Sequence, residues 1–205
     1  MTGMAPQFAK GSTVDATLDF IRAEHGEAAL GSVLCKLSPD VRSVAKHISA
    51  TDEVVYEQLV QLWAAADEIF AAVDPGWMER AGAFSIGHRG AQMYGGILRK
   101  KDPTEFLTQS ISLFRLYYHP GDIEVVEHAS GRAVLRLVGF AAQTSLFCRR
   151  QTGGLTKAIE LAGGNHPGTR HVRCVLEGDA YCEWELTWSE AVKVQRDTST
   201  SAEQP

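Results

Sequence analysis

The sequence predicts an α+β domain: a helical N-terminal layer packed on a four-stranded antiparallel sheet of two hairpins joined by a helix. Three observations predict it. Apolar residues recur at helical spacing from Val14 to Tyr118. After Gly121 the period falls to two. One further helical stretch, Thr144 to Leu161, then separates that region from a second alternating segment beginning at His171.

Residues 1–12 read as a flexible leader, 13–190 as a single domain and 191–205 as a polar, disordered tail. Val14, Leu18 and Ile21 mark a first helix that Gly26 closes, and Leu30, Val33, Leu34 and Leu37 mark a second. Ser38-Pro39 restarts the helical layer, with serine as N-cap and proline in the first turn. Val54 to Ala72 is the longest amphipathic helix, with Val55, Leu59, Leu62, Trp63, Ala66 and Phe70 along its stripe. The Trp77–Leu98 stretch is helical in pattern, yet Gly87, Gly90, Gly95 and Gly96 imply a close approach to another element or a break near Gly95-Gly96. Asp102-Pro103-Thr104-Glu105 opens the last helix of the layer, expected to run to Tyr118.

In the first hairpin Ile123 and Val125 match Leu135 and Leu137, and Glu124 falls opposite Arg136. The second hairpin turns at Glu177-Gly178-Asp179-Ala180. Val172, Cys174 and Leu176 form one inward set and Cys182, Trp184, Leu186 and Trp188 the other. Only an odd loop centred on Gly178 puts both sets on one face, and that register makes Cys174 and Cys182 cross-strand neighbours.

Composition excludes several functions. A net charge of −5, with no basic cluster larger than Arg99-Lys100-Lys101, argues against nucleic acid. No apolar run is long enough for a bilayer, and the first residues lack a signal-peptide core. Four cysteines in 205 residues do not make a disulfide framework, so a cytoplasmic location is expected. Gly163-Gly164-Asn165-His166-Pro167-Gly168 lacks the lysine of a phosphate-binding loop, and no nucleophile, base and orienting group come together in pattern. The chain is therefore read as non-enzymatic, and Glu183 and Glu185 as solvated residues of an outer sheet face.

Two groups of residues carry the candidate chemistry. Cys148, on the sheet-packing helix, can meet Cys174 and Cys182, and three thiols with one further ligand suit structural zinc. Asp179, His166, His171 and Glu177 are the fourth-ligand candidates nearby in sequence. The same cysteines serve equally as small buried apolar residues, or as a Cys174–Cys182 bridge. The second group is Trp63, Phe84, Tyr94, Phe114, Tyr117 and Tyr118, with Arg89 as an orienting cation. They line a ligand pocket or are ordinary core. Zinc is the one candidate cofactor the residues themselves suggest.

The pattern Cys148, Gly153-Gly154-Leu155, Cys174, Gly178-Asp179, Cys182 and Trp184 resembles the vinyl-4-reductase-like ligand-binding domain. That superfamily also holds Golgi transport-particle subunits and haem nitric-oxide-binding domains. Over its whole length, through Gly26, Ser85-Ile86-Gly87, Tyr117-Tyr118, Gly163-Gly164 and Trp188, the chain looks closest to a myxobacterial paralogous family of small proteins. The resemblance implies a homodimeric sensor or regulatory domain that binds a small apolar ligand and signals through a protein partner. The alternative it implies is a structural adaptor of the Golgi-subunit type with no exchangeable ligand. Haem enters only through the superfamily: His88 and His119 are the helical-half candidates, and the Tyr-x-Ser-x-Arg signature of the nitric-oxide-binding domains is absent.

Overall fold

The computed structural model describes residues 6–93, 95–100, 102–109 and 113–189; of Arg89, Ile97 and Gln109 only the backbone is described. It is an α+β structure with two antiparallel sheets. The N-terminal chain forms β1 (Phe8–Lys10), α1 (Gly11–Lys36), α2 (Pro39–His47), β2 (Glu53–Val55) and α3 (Tyr56–Phe70). α1 is broken at Gly26, whose φ of 84° only glycine adopts freely, as the cap signal there predicts. The Ser38 hydroxyl caps α2 by accepting from the Val41 N–H.

β1 corrects the reading of residues 8–12 as part of a leader. It is the central strand of a three-stranded sheet, between β2 and β3 (Tyr118–His119). Three-residue strands carry too few positions for periodicity to reveal them. β3 also ends the last N-terminal helix earlier than expected. α7 (Pro103–Gln109) starts where Asp102 accepts hydrogen bonds from the Thr104 and Glu105 N–H groups. A 3₁₀ turn at Phe114–Leu116 then leads into β3, where Tyr118 pairs with Ala9.

The glycine-rich stretch leaves regular α-helix at Ile86–Gly90, ahead of the break expected near Gly95-Gly96. α4 (Trp77–Ser85) passes through a π turn at Ile86–Gly90 into the short α5 (Ala91–Met93) and α6 (Gly95–Leu98). α4 lies against α8 (Ser145–Leu161), and two glycines permit that contact. A methyl group on Gly82 would overlap the Arg150 carbonyl oxygen, and one on Gly153 the Glu79 carbonyl oxygen. Arg149 clamps the same junction with a bidentate bond to Glu79, at 2.8 and 2.7 Å.

The larger sheet holds β4 (Asp122–Ala129), β5 (Arg132–Val138), β6 (Asn165–Arg173) and β7 (Glu183–Ser189) in the order β4-β5-β7-β6. The first hairpin has the expected register: Ile123 opposite Leu137, Val125 opposite Leu135 and Glu124 opposite Arg136. In the second, Cys182, Trp184, Leu186 and Trp188 are all buried. The partner set is corrected. Cys174 is buried, but Val172 and Leu176 are 39% and 47% exposed. The register shifts between His171 and Arg173, and Val175–Glu177 is a 3₁₀ turn rather than strand.

The outer face is more ordered than a solvated reading allows. Glu183 is buried and bonds the Arg136 guanidinium at 2.8 and 3.1 Å, while Glu185 accepts from Arg132 at 2.7 Å. Arg136 therefore pairs across to β7 rather than with Glu124.

Candidate functional site

Two sites lie on either side of α8. The first is the cysteine cluster. Thr144 caps the helix at its N-terminus, and one turn later Cys148 faces the sheet, its Sγ 3.9 Å from that of Cys182. Cys174 stands at the head of the β6–β7 loop. The Asp179 carboxylate accepts from its backbone N–H at 2.8 Å, and Gly178 supplies the left-handed turn between them, with φ at 97°. This is the physical content of the Gly-Asp pair in the motif. The register shift turns His171 inward, where its ring stacks on Trp184 with centroids 4.7 Å apart.

Ligand atoms of Cys148, His171, Cys174 and Cys182 all lie within 4.8 Å of one another. The arrangement brings the three predicted cysteines together and selects His171 from the four candidates for a fourth group. Three sulfurs and one imidazole form a soft, tetrahedral-type donor set. Their acidities diverge. The Cys148 hydrogen bond, helped by His171, draws the Cys182 thiol well down, whereas that same bond together with burial pushes Cys148 up. Burial also raises Cys174. The pocket holds one thiolate easily and three only with a cation among them. Trp184 Nε1 donates to Thr152 Oγ1 at 3.1 Å, and Thr152 Oγ1 donates to the Cys148 carbonyl at 3.0 Å, so the cluster is tied to the core through one tryptophan.

The second site is a cavity of about 80 Å³ between the helical layer and the larger sheet. Phe106, Leu107, Leu113 and Phe114 close one side, Ile123, Val125 and Leu135 the sheet side, and Leu155 and Ala158 the α8 side. Ile86, Tyr117, Tyr118, Gln151 and Gly154 continue into a second lobe of about 40 Å³. There Thr13, Ser85 and Arg150 supply the polar wall.

Of the residues expected to line a pocket, Phe114, Tyr117 and Tyr118 do so. Trp63 does not: it is core, donating from Nε1 to Thr17 Oγ1 at 3.3 Å. Phe84 faces a separate open groove with Phe20 and His88. Tyr94 and the Arg89 side chain lie outside the described residues. Sequence reasoning missed Arg150, although Phe147, Arg150 and Gly154 share a helical face that the apolar pattern marks as inward.

No family model matches the sequence, and no curated protein does. Solved structures do match in fold. An H-NOX protein from K. algicida, in the unliganded Fe(II) state, superimposes with a TM-score of 0.68 at 13% identity, over 91% of this chain and 100% of its own. A mutant H-NOX protein from S. oneidensis in the Fe(II) state gives 0.69 at 15%, over 90% and 98%. A structure concerned with haem redox potential and porphyrin distortion gives 0.64 at 11%, over 87% and 99%.

The chain has the H-NOX fold. This corrects the resemblance to vinyl-4-reductase-like and myxobacterial families: the matching folds are those of H-NOX proteins. It corrects the cofactor expectation too. Structures that concern haem and porphyrin distortion share this fold, so haem, rather than zinc or no cofactor, is the group to test against the cavity.

The cavity-lining residues do not fit a histidine-held haem. None of them is a histidine, cysteine or methionine. His25 stacks on Phe70, His119 on Phe8 and His128 beside Trp188, while His47 bonds the Ser43 carbonyl and His171 belongs to the cysteine cluster. His88 and His166 are exposed. Tyr117 and Tyr118 are the lining residues with axial-ligand chemistry, and burial pushes the Tyr118 phenol up, away from the phenolate that iron would take. The two lobes, at about 80 and 40 Å³, are also small beside the ~300–1,000 Å³ of typical cofactor and drug pockets.

Proposed function

We propose that this protein is a small-molecule sensor domain of the H-NOX fold whose ligand occupies the cavity between the helices and the larger sheet. The observation that carries the reading is the cavity itself: an apolar lobe continuous with a polar one, walled by both layers. A ligand there touches α8 and the β4–β5 hairpin together, so binding can shift their packing and change the surface offered to a protein partner. The matching structures support the same kind of role, since one is of an H-NOX protein with NO on Fe(II). Its ligand reaches iron, whereas the donor set here favours an organic molecule held directly by side chains. The reading is that of a sensor and not of a catalyst. Among the described residues no helix is long and apolar enough to cross a membrane.

The test is a thermal-unfolding screen with single-ring and short-chain compounds and, separately, with haemin. A compound at about 100 times its Kd adds about 2.7 kcal/mol to stability. A screen in which none of these compounds stabilises the protein would return the cavity to the role of imperfect core, as the adaptor reading holds.

The cysteine cluster has a structural part in this reading. Cys148, Cys174 and Cys182, with His171, act as one metal-ligand set that pins the β6–β7 loop to α8. Elemental analysis of protein purified without a polyhistidine tag should find one transition-metal ion per chain, lost in Cys182→Ser. A metal-free protein whose unfolding temperature chelator leaves unchanged would contradict this.

A further inference from the structure

Resting on the sensor reading, we infer that the ligand is a small apolar monocarboxylate, its acid group bound by Arg150. Arg150 projects from α8 into the polar lobe and is only 4% exposed. Nη1 and Nη2 make no well-formed hydrogen bond, and the polar side chain that approaches the guanidinium is the neutral Tyr118 phenol. Among the described residues no carboxylate lies within ion-pair distance of it; its neighbours are the Trp63 ring, 5.5 Å from the guanidinium carbon, and the Tyr118 phenol. The other arginines of this part of the fold are paired: Arg149 with Glu79, Arg136 with Glu183 and Arg132 with Glu185. A buried guanidinium left without an anion is costly, so a site that keeps one is built for an anion from outside.

The geometry narrows the ligand. Two free N–H groups of a planar fork match the two oxygens of one carboxylate. The Thr13 hydroxyl, 1% exposed, faces the same lobe beside the Tyr118 phenol and can donate to an oxygen. Beyond the shared rim at Tyr118 and Gly154 the wall turns apolar, with Leu107, Leu135 and Leu155, and offers nothing to a second charge. A dry cavity of about 150 Å³ holds a benzene ring. Lobes of about 80 and 40 Å³ together total somewhat less than that, so a short chain attached to the acid fits as they stand and a single ring fits with slight widening.

The experiment measures binding of phenylacetate and hexanoate, with phenylacetamide and hexanamide as neutral isosteres, to the full chain and to Arg150→Met and Arg150→Lys. The acids should bind at least tenfold more tightly than their amides. Arg150→Met should abolish that preference, and Arg150→Lys should keep part of it. Arg150→Met removes an unpaired buried charge, so its own unfolding temperature should equal or exceed that of the parent, and lost binding will not reflect lost fold. Equal binding of acids and amides, or acid binding unchanged in Arg150→Met, overturns the carboxylate assignment while leaving the cavity as a neutral-ligand site. Haemin binding with a Soret band that excludes the acids overturns it in favour of a porphyrin. If neither acids nor amides bind, the sensor reading fails along with it.

Discussion

Gly153→Ala is expected to destabilise the protein by about 3 kcal/mol, at the upper end for overpacking. The new methyl group would meet the Glu79 carbonyl oxygen of α4, a backbone atom that cannot rotate away. α4 and α8 would have to separate, loosening the Arg149–Glu79 clamp and opening the polar lobe between Gly82, Arg150 and Gly154. The change should therefore lower both the unfolding midpoint in urea and the affinity for any cavity ligand. Gly31→Ala is the control. Gly31 lies within α1 with open space where its Cβ would stand, so alanine there should raise stability by about 0.4–1 kcal/mol through the unfolded chain. Equal effects at the two positions would mean that α4 and α8 are not in backbone contact.

Trp184→Ala is expected to cost about 3–5 kcal/mol, the range for emptying a fully buried aromatic site. The indole is 0% exposed near the start of β7, with Leu135 opposite it on β5 and His171 opposite it on β6. Its loss removes more than packing. The His171 ring loses the surface on which it stacks, and Thr152 loses the donor that orders it beside Cys148. Trp184→Phe refills most of the volume and keeps an aromatic face but has no N–H. It should recover most of the stability and the metal content of the cluster, whereas Trp184→Leu should recover stability alone. Equal metal content in the Phe and Leu variants would show that the stack does not position His171.

Where local signals agreed, the sequence was legible. The register of the β4–β5 hairpin follows from two alternating runs around Ser130-Gly131, and the caps at Ser38 and Asp102 follow from side chains that satisfy exposed N–H groups. The approach of Cys174 and Cys182 to Cys148 follows from pleat and helix periodicity. Other features have no local signal. β1 is three residues long and exists because β2 and β3 pair on either side of it. The shift that turns His171 inward inserts an extra residue, which alternation treats as noise. Arg150 is an intermediate case: it shares the inward face of α8 with Phe147 and Gly154, but only the packing of α4 over α8 shows that Arg149 is paired outside and Arg150 is buried without an anion. The likeness to H-NOX proteins lies in shape at 11–15% identity, below what residue motifs carry.

The central claim is that a small molecule enters the cavity between the layers. Methyl-resolved NMR during titration with phenylacetate tests it most directly. The methyl groups of Ile86, Leu107, Leu135 and Leu155 should shift together and saturate at one stoichiometric equivalent, while those of Val73 and Val172, exposed and outside the cavity lining, stay in place. Saturable shifts confined to exposed methyls, with the four cavity residues unmoved, would contradict the account.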